Sequence, residues 1–474
     1  MRGINDCIEC IGNGFCTVIG SGIRKGTEGI TFDHIIFDQF FVWNNSDGLK
    51  ISDEKIETLE IKRMHLGRAE NISIPEVKRL TFRNCEFIYL PMIDHKNIWY
   101  VEFDNCTFGT ENMNWAKNIL APSNVNKKVY LKECKIGTFH IGDIRDIRYN
   151  SNIELSYLLL TGGEIEELTI ENVEIASKFY INKQYDGNNK QTKIGKLTIQ
   201  NSIFKDNFKL HYCNVSQAIV KDSDFEKHAD FYMSKFHRGI DDEDPTIYFK
   251  ALNFKGLALF GDCSFYEKVV FRYITFEGYS HFRQAYFAKG LELDYANIQK
   301  EMNFFGATGL DSKESRTNTS QETYRIIKHN FDRLGNKIEA NKYHSLELDT
   351  KRKHIFAQPT SWYQKCEEFV IYSAHWLFSL HSRSWLIPLL WIFVVSVVVD
   401  CSINVPYAAY SSFSEYAKHC IEYIFICHEY NPKYLSIFSS VDIEKYPKVF
   451  LFQKISLGYL YYQFLLAVRK DTKR

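Results

Sequence analysis

Between Phe260 and Phe287, large apolar residues recur at Phe260, Phe265, Phe271, Phe276, Phe282 and Phe287, in alternating steps of five and six. An amphipathic helix repeats its apolar positions at three and four, and a half-buried strand at two. A chain keeping these longer steps turns a corner between one bulky residue and the next. The pattern extends well beyond this stretch. Ile199, Leu210, Val220, Phe231, Phe249, Phe260, Phe271, Phe282, Leu293 and Phe304 follow one another at steps of ten or eleven, with one long step from Phe231 to Phe249. That long step holds the acidic insertion GIDDEDPT. Self-similarity of this kind predicts an array of stacked units.

The residue two before each bulky one is small or aliphatic: Cys263 before Phe265, Ala285 before Phe287, Ala296 before Ile298. Side chains two apart on an extended chain share a face. Each short strand therefore turns one bulky and one modest side chain inward and then bends. Phe271 points to the core, and Lys268 is expected at a tolerant surface position. Stacked units bury one continuous core, so the steps of five and six are successive sides of a β-solenoid. Weaker copies lie upstream in LTFRNCEF, VEFDNCTF, VYLKECKI, LTIENVEI and LTIQNSIF. Their paired centres keep the five-residue step, as in Phe82 and Phe87 or Phe103 and Phe108, at irregular intervals. The solenoid is placed at residues 55–310, and residues 1–54 are its N-terminal cap or degenerate first coils.

The small–polar–large triplets Cys263-Ser264-Phe265, Ala285-Tyr286-Phe287 and Ala296-Asn297-Ile298 resemble those of the bacterial pentapeptide-repeat proteins. The sixth residue in every second unit, with Phe often in place of Leu, resembles their phenylalanine-rich, eleven-residue subgroup. The resemblance implies an all-β solenoid, a right-handed four-sided β-helix with about four strands per coil. It implies little about function, which resides in sites rather than folds.

After Gly309 the pattern changes. TSQETYRIIKHNFDRLGNKIEANKYHSLELDTKRK predicts one long coupling helix over 318–355. Thr319 and Glu322 offer a capping box, and Ile327, Phe331, Leu334 and Ile338 form a stripe at helical spacing. Such a helix is expected to dock on the last coil or on a partner. It also resembles the helix that follows the repeats in membrane-bound members of the class.

Residues 360–474 read as a helical membrane domain, with spans near 384–403 and 449–468. Ser384 to Val399 carries no charge, and extension to Ile403 reaches the length of a spanning helix. The second apolar run is interrupted by Lys454. CEEFVIYSAHWLFSL, before the first, suits a helix lying flat in the interface. Lys351, Arg352, Lys353 and Arg383 precede the first span, and Arg469, Lys470, Lys473 and Arg474 follow the second. By the positive-inside rule both termini and the solenoid are expected to be cytoplasmic, and the resemblance implies the inner membrane of a bacterium. Two helices around an apolar segment give the outline of a two-span ion channel. KHCIEYIFICHEY would then be a pore helix, with Cys420, Tyr423 and Cys427 as pore-facing candidates. A carbonyl-ring filter of the TVGYG kind is absent from the sequence.

Composition narrows the alternatives. Up to residue 310 there are 37 Lys+Arg and 42 Asp+Glu, a net of −5; the remainder of the 58 and 58 leaves +5. No basic stripe points to nucleic acid. Members of the resembled class that mimic DNA bind a topoisomerase, but −5 and a membrane anchor argue against that role here. MRGINDCIEC lacks an apolar run for a secretory signal. Cys85, Cys106, Cys134, Cys213 and Cys263 occupy the small inward position, where a thiol packs as a compact apolar group. Cys7, Cys10 and Cys16 lack the fourth ligand that a zinc site wants. HExxH, Walker and nucleophile-elbow motifs are absent, so no catalytic, metal or cofactor residues are assigned and an enzyme is not expected. The expected partners are the membrane, an unidentified protein and further copies of the chain. The expected function is a membrane-anchored interaction or sensing platform, with an oligomeric pore or membrane-depolarising effector, gated through the solenoid, as the alternative.

Overall fold

The computed structural model describes residues 17–26, 29–43, 49–50, 55–66, 72–73, 77–88, 98–109, 127–142, 157–183, 190–241, 243–357, 359, 361–402, 412, 414, 424 and 447–472. It divides into two units, Met1–Thr319 and Ser320–Arg474.

The first unit is a solenoid-like stack of parallel strands. In its regular part each strand pairs with the fourth strand after it. Ala258–Leu259 pairs with Ser280–His281, Ser264–Phe265 with Tyr286–Phe287, and Thr275–Phe276 with Asn297–Ile298. Phe265 stands opposite Phe287, so one coil takes two of the eleven-residue units. Upstream the coil is slightly shorter, with Arg79 opposite Tyr100. Elsewhere it is longer, with Glu164 opposite Lys193 and Lys235 opposite Ser264. The added residues are insertions, GIDDEDPT among them. At the start of the chain, Thr17–Gly26 runs antiparallel to Gly29–Trp43, and Gly29–Trp43 then pairs in parallel with Lys55–Leu66. The hairpin covers an edge that would otherwise present unpaired backbone groups. The parallel stack thus begins at residue 29, inside the segment expected to be a cap or degenerate first coils.

The five-residue steps have a common physical cause. A residue in the left-handed region stands just before the small inward residue: Asn84, Asn105, Asn172, Asn201, Asp222, Asp262, Tyr273 and Gln284 all have φ between 47° and 57°. Asn and Asp tolerate this conformation better than most residues. Asn105 Nδ2 donates to Asn84 Oδ1, and Asn201 Nδ2 to Asn172 Oδ1, each at 2.7 Å, which adds a side-chain rung to the ladder.

Inside the stack, rings lie over rings. Phe260, Phe265, Phe271, Phe276, Phe282 and Phe287 are each 0% exposed. Centroids of Phe249 and Phe271 are 4.8 Å apart and those of Phe260 and Phe282 4.9 Å, with the rings nearly parallel. Phe260 meets Phe271 edge-on at 5.3 Å. Offset stacking between coils and edge contacts within a coil both satisfy the ring quadrupole. The small residues form their own column. Cys106 Sγ lies 3.5 Å from Phe82 O, Cys134 Sγ 3.4 Å from Phe103 O, and Cys263 Sγ 2.9 Å from Phe231 O. Gly163 stands in this column because a Cβ there would lie 2.4 Å from Cys134 O. Burial pushes the Cys134 thiol up to about 12 and those of Cys213 and Cys263 upward too. These cysteines therefore stay protonated and inert.

Outside, ion pairs link successive coils: Lys193 with Glu164 at 2.8 Å, Lys196 with Glu167 at 3.0 Å, Lys255 with Glu226 at 3.0 Å. Lys268 belongs to this system rather than to a free surface. Its Nζ lies 2.7 Å from Oε2 of the buried Glu292, which Arg272 also holds. Helix α1 (Lys313–Asn318) follows the last strand.

The segment expected as one long helix forms two: α2 (Gln321–Arg333) and α3 (Lys337–His354), packed as a hairpin. Gly335 at φ 75° ends α2, as glycine does in the left-handed conformation after a helix. Asn336 caps α3 by accepting from Glu339 N–H at 3.2 Å, which satisfies one of the donors that a helix start leaves open. The stripe is broken accordingly. Ile327 and Phe331 are buried, whereas Leu334 and Ile338 are 42% and 65% exposed. The cap of α2 is Ser320, whose Oγ accepts from Thr323 N–H at 3.0 Å. Thr319 instead accepts from Leu291 N–H of the last coil, at 3.2 Å.

Candidate functional site

The second unit continues with α4 (Trp362–Ser379), α5 (Leu386–Ser402) and α6 (Pro447–Thr472). Ile392, Val395 and Val399 of α5 pack on Leu457 and Leu460 of α6. The i, i+3, i+7 spacing of the α5 residues makes that a single narrow seam. Polar side chains are buried along with it: Ser396, Gln453, Gln463 and Ser379. Ser379 Oγ lies 3.0 Å from Gln463 Oε1, and Ser396 Oγ donates to Ile392 O at 3.0 Å.

The outer faces are the reverse. On α5, Leu386, Leu389, Leu390, Phe393, Val394 and Val398 are exposed, Leu390 by 62%. On α6, Leu451, Phe452, Ile455, Tyr462 and Leu465 are exposed, Ile455 by 66%. The exposed Trp362, Tyr363, Val370 and Ile371 extend this to α4. Contiguous apolar exposure on this scale marks an interaction surface rather than ordinary solvent contact.

The expected spans near 384–403 and 449–468 are not found as such: among the described residues no helix is long and apolar enough to cross a membrane. Helix α5 has 17 residues, about 26 Å at 1.5 Å per residue, short of a hydrocarbon core of ~30 Å. Helix α6 has the length, but Lys454 lies exposed within it. The pore-facing candidates Cys420, Tyr423 and Cys427 lie outside the described residues, as do Cys7, Cys10 and Cys16.

The chain reverses between α4 and α5 through three consecutive left-handed residues, Leu380, His381 and Ser382, at φ 48°, 59° and 64°. Non-glycine residues hold that conformation only when their surroundings fix it. Here Ser382 N–H donates to Ser379 Oγ at 3.0 Å and Leu380 N–H to Trp376 O at 2.8 Å. His375 binds the turn at both ring nitrogens: Nδ1 to His381 Nδ1 at 3.0 Å and Nε2 to Ser382 Oγ at 3.2 Å. Burial lowers both histidines to about 4; Lys470 and His344 add to the effect at His375, and His375 itself adds to it at His381. Both are neutral at pH 7, with one proton between the facing Nδ1 atoms.

Between α2 and α3, the buried Glu347 receives Arg325 Nε at 3.1 Å, Lys328 Nζ at 2.8 Å and His344 Nδ1 at 3.5 Å. Burial alone would raise its carboxyl, but the three donors outweigh it and hold it at about 2, since hydrogen bonds to a carboxylate favour its charged form. The sequence pattern gives no sign of His375, His381 or Glu347, because isolated titratable residues on helices carry no spacing signal. Comparison of the chain with protein-family models, with curated proteins and with solved structures gives no match.

Proposed function

We propose that the protein is a membrane-anchored pentapeptide-repeat protein, in which α5 and α6 insert in a lipid bilayer, α4 lies along its surface and the β-helix serves as an interaction platform. The observation that carries this reading is the apolar outer face of the helices, with leucine, phenylalanine and isoleucine exposed while Ser379, Ser396, Gln453 and Gln463 are buried beside the narrow apolar seam. Water selects the opposite arrangement, whereas lipid solvates apolar faces and makes buried small and polar residues useful contacts between helices. A short α5 is compatible with insertion through local thinning of the bilayer. The right-handed, four-sided form of the β-helix belongs to the same proposal, supported by the four strands in each regular coil.

Exposed aromatics on the last coils support the platform. Tyr273 and Tyr295 stack at 5.4 Å, and Tyr266 lies 4.7 Å from His237. Tyrosines of this kind are enriched at protein interfaces, where they offer large area at low entropic cost. A DNA-mimicking role finds no such support, since lysines of neighbouring coils neutralise acidic rungs of the solenoid.

Vesicle flotation of the full chain tests the reading. The wild type is expected to float with phosphatidylcholine vesicles, and Leu390→Asp with Ile455→Asp to lose most of that recovery while keeping its β-structure by circular dichroism. A wild-type chain that stays at the bottom of the gradient and is monomeric without detergent overturns it.

A further inference from the structure

A cavity of about 540 Å³ opens in the helical unit between the α2–α3 turn, α4 and the last turn of α6. Its charge is one-sided. Lys337 from the start of α3 and Arg469 and Lys470 from the end of α6 line it. The one acid of the lining, Asp332, already accepts from Lys337 Nζ at 2.8 Å. Glu347 nearby is committed to Arg325, Lys328 and His344 and adds no charge to the lining. Above the ordinary histidine range, three cations stand against one carboxylate, a net of +2.

The frame around these cations is fixed. Asn341 Nδ2 donates to Lys470 O at 3.0 Å, which ties α3 to the last turn of α6. His375, also in the lining, is locked by His381 and Ser382. Its protonated form is disfavoured first by burial and then by Lys470 and His344, as expected for an imidazole beside a cation. Arg469 lines the cavity, is solvent-exposed and makes no ion pair among the described residues.

We propose that this cavity is a binding site for a phosphate-bearing anion, with Arg469 and Lys470 as its principal ligands and Lys337 released in part from Asp332. A planar guanidinium grips two phosphate oxygens at once, and a lysine beside it adds a compact charge. The volume exceeds that of bare phosphate and suits a small phosphorylated group. Two sources share this chemistry, a free phosphate ester and the head group of an anionic lipid. The second rests on the membrane reading, because Arg469 and Lys470 directly follow the exposed apolar face of α6. The first does not.

The test uses the full chain in neutral detergent, titrated calorimetrically with inorganic phosphate and glycerol phosphate. Saturable binding is expected, weakened at least about tenfold by Arg469→Gln and partly restored by Arg469→Lys, as loss of a bidentate charged contact requires. Lys448→Gln, at the opposite end of α6, removes the same charge outside the cavity and is expected to leave affinity unchanged. Lys337→Gln provides a second cavity variant should Arg469→Gln lower the melting temperature. Vesicles of phosphatidylcholine with phosphatidic acid that displace glycerol phosphate, where phosphatidylcholine alone does not, identify the lipid as the source. Displacement by neither vesicle identifies a free ester. Absence of saturable binding, or equal losses for Arg469→Gln and Lys448→Gln, overturns the site.

Discussion

In the β-stack phenylalanine fills the interior and lysine–glutamate rungs face outward, whereas in the helical unit a narrow aliphatic seam and buried serines and glutamines lie between helices and leucine, isoleucine and tryptophan face outward. One chain thus contains a core built for water and a surface built for something less polar. The difference teaches where binding energy is available. The stack has spent most of its apolar area on itself, and what remains exposed is chiefly tyrosine, with Trp99 and Phe305 beside it. The helices have kept most of theirs for the surroundings.

The largest effect should come from reversing polarity inside the stack. Phe271 touches Phe249, Phe260 and Phe282, so Phe271→Asp places an unpaired charge among rings and should cost several kcal/mol. Calorimetry or chemical denaturation should show the β-transition lost or displaced far downward, with the helical signal retained. A melting temperature within about 1 °C of wild type would refute the inward assignment.

A smaller effect sharpens the contrast at the surface of the stack. Burial pushes the Glu292 carboxyl up, and Lys268 and Arg272 more than compensate, so that it stays ionised. Lys268→Asp sets a second negative charge beside it and should destabilise the stack by about 1–3 kcal/mol. Denaturant melts of Lys268→Asp and Lys268→Gln check this, with the aspartate expected to be worse.

A pH dependence also distinguishes the units. His375 and His381 sit at about 4 in the folded helical unit, below the ordinary histidine value. From about pH 6.5 downward the unfolded chain therefore binds protons that the folded one refuses until about pH 4, and stability falls as pH falls. Glu347, held at about 2, adds a further loss only below its ordinary range, toward pH 2. Melting followed by helical circular dichroism should decline from pH 7 to 5, and His375→Gln should flatten that decline. In the stack burial also lowers His281, a single imidazole rather than a facing pair, so a shallower slope is expected there.

The steps of five and six determined much of the first unit without any coordinates: which phenylalanines turn inward, which small residues flank them, and where GIDDEDPT leaves the stack. Each of these depends on neighbours within one short repeat, and repetition multiplies the signal. The corner residues Asn84, Asn105, Asn172 and Asn201, one place before the small one, emerged only with the left-handed backbone of the structure. The break at Gly335 was written in the chain, yet the stripe Ile327–Phe331–Leu334–Ile338 ran through it, because periodicity alone does not weigh a glycine C-cap against a continuing helix. Tertiary structure alone decided what sequence distance conceals. It joined Asn341 to Lys470, brought Lys337 and Arg469 to one cavity, and set His375 against His381 through a turn of three left-handed residues. It also divided each apolar helix into a seam and an exposed face. A run of leucines and valines has no strong period to reveal which side a partner helix will take, since that choice is made by packing between segments far apart in the chain.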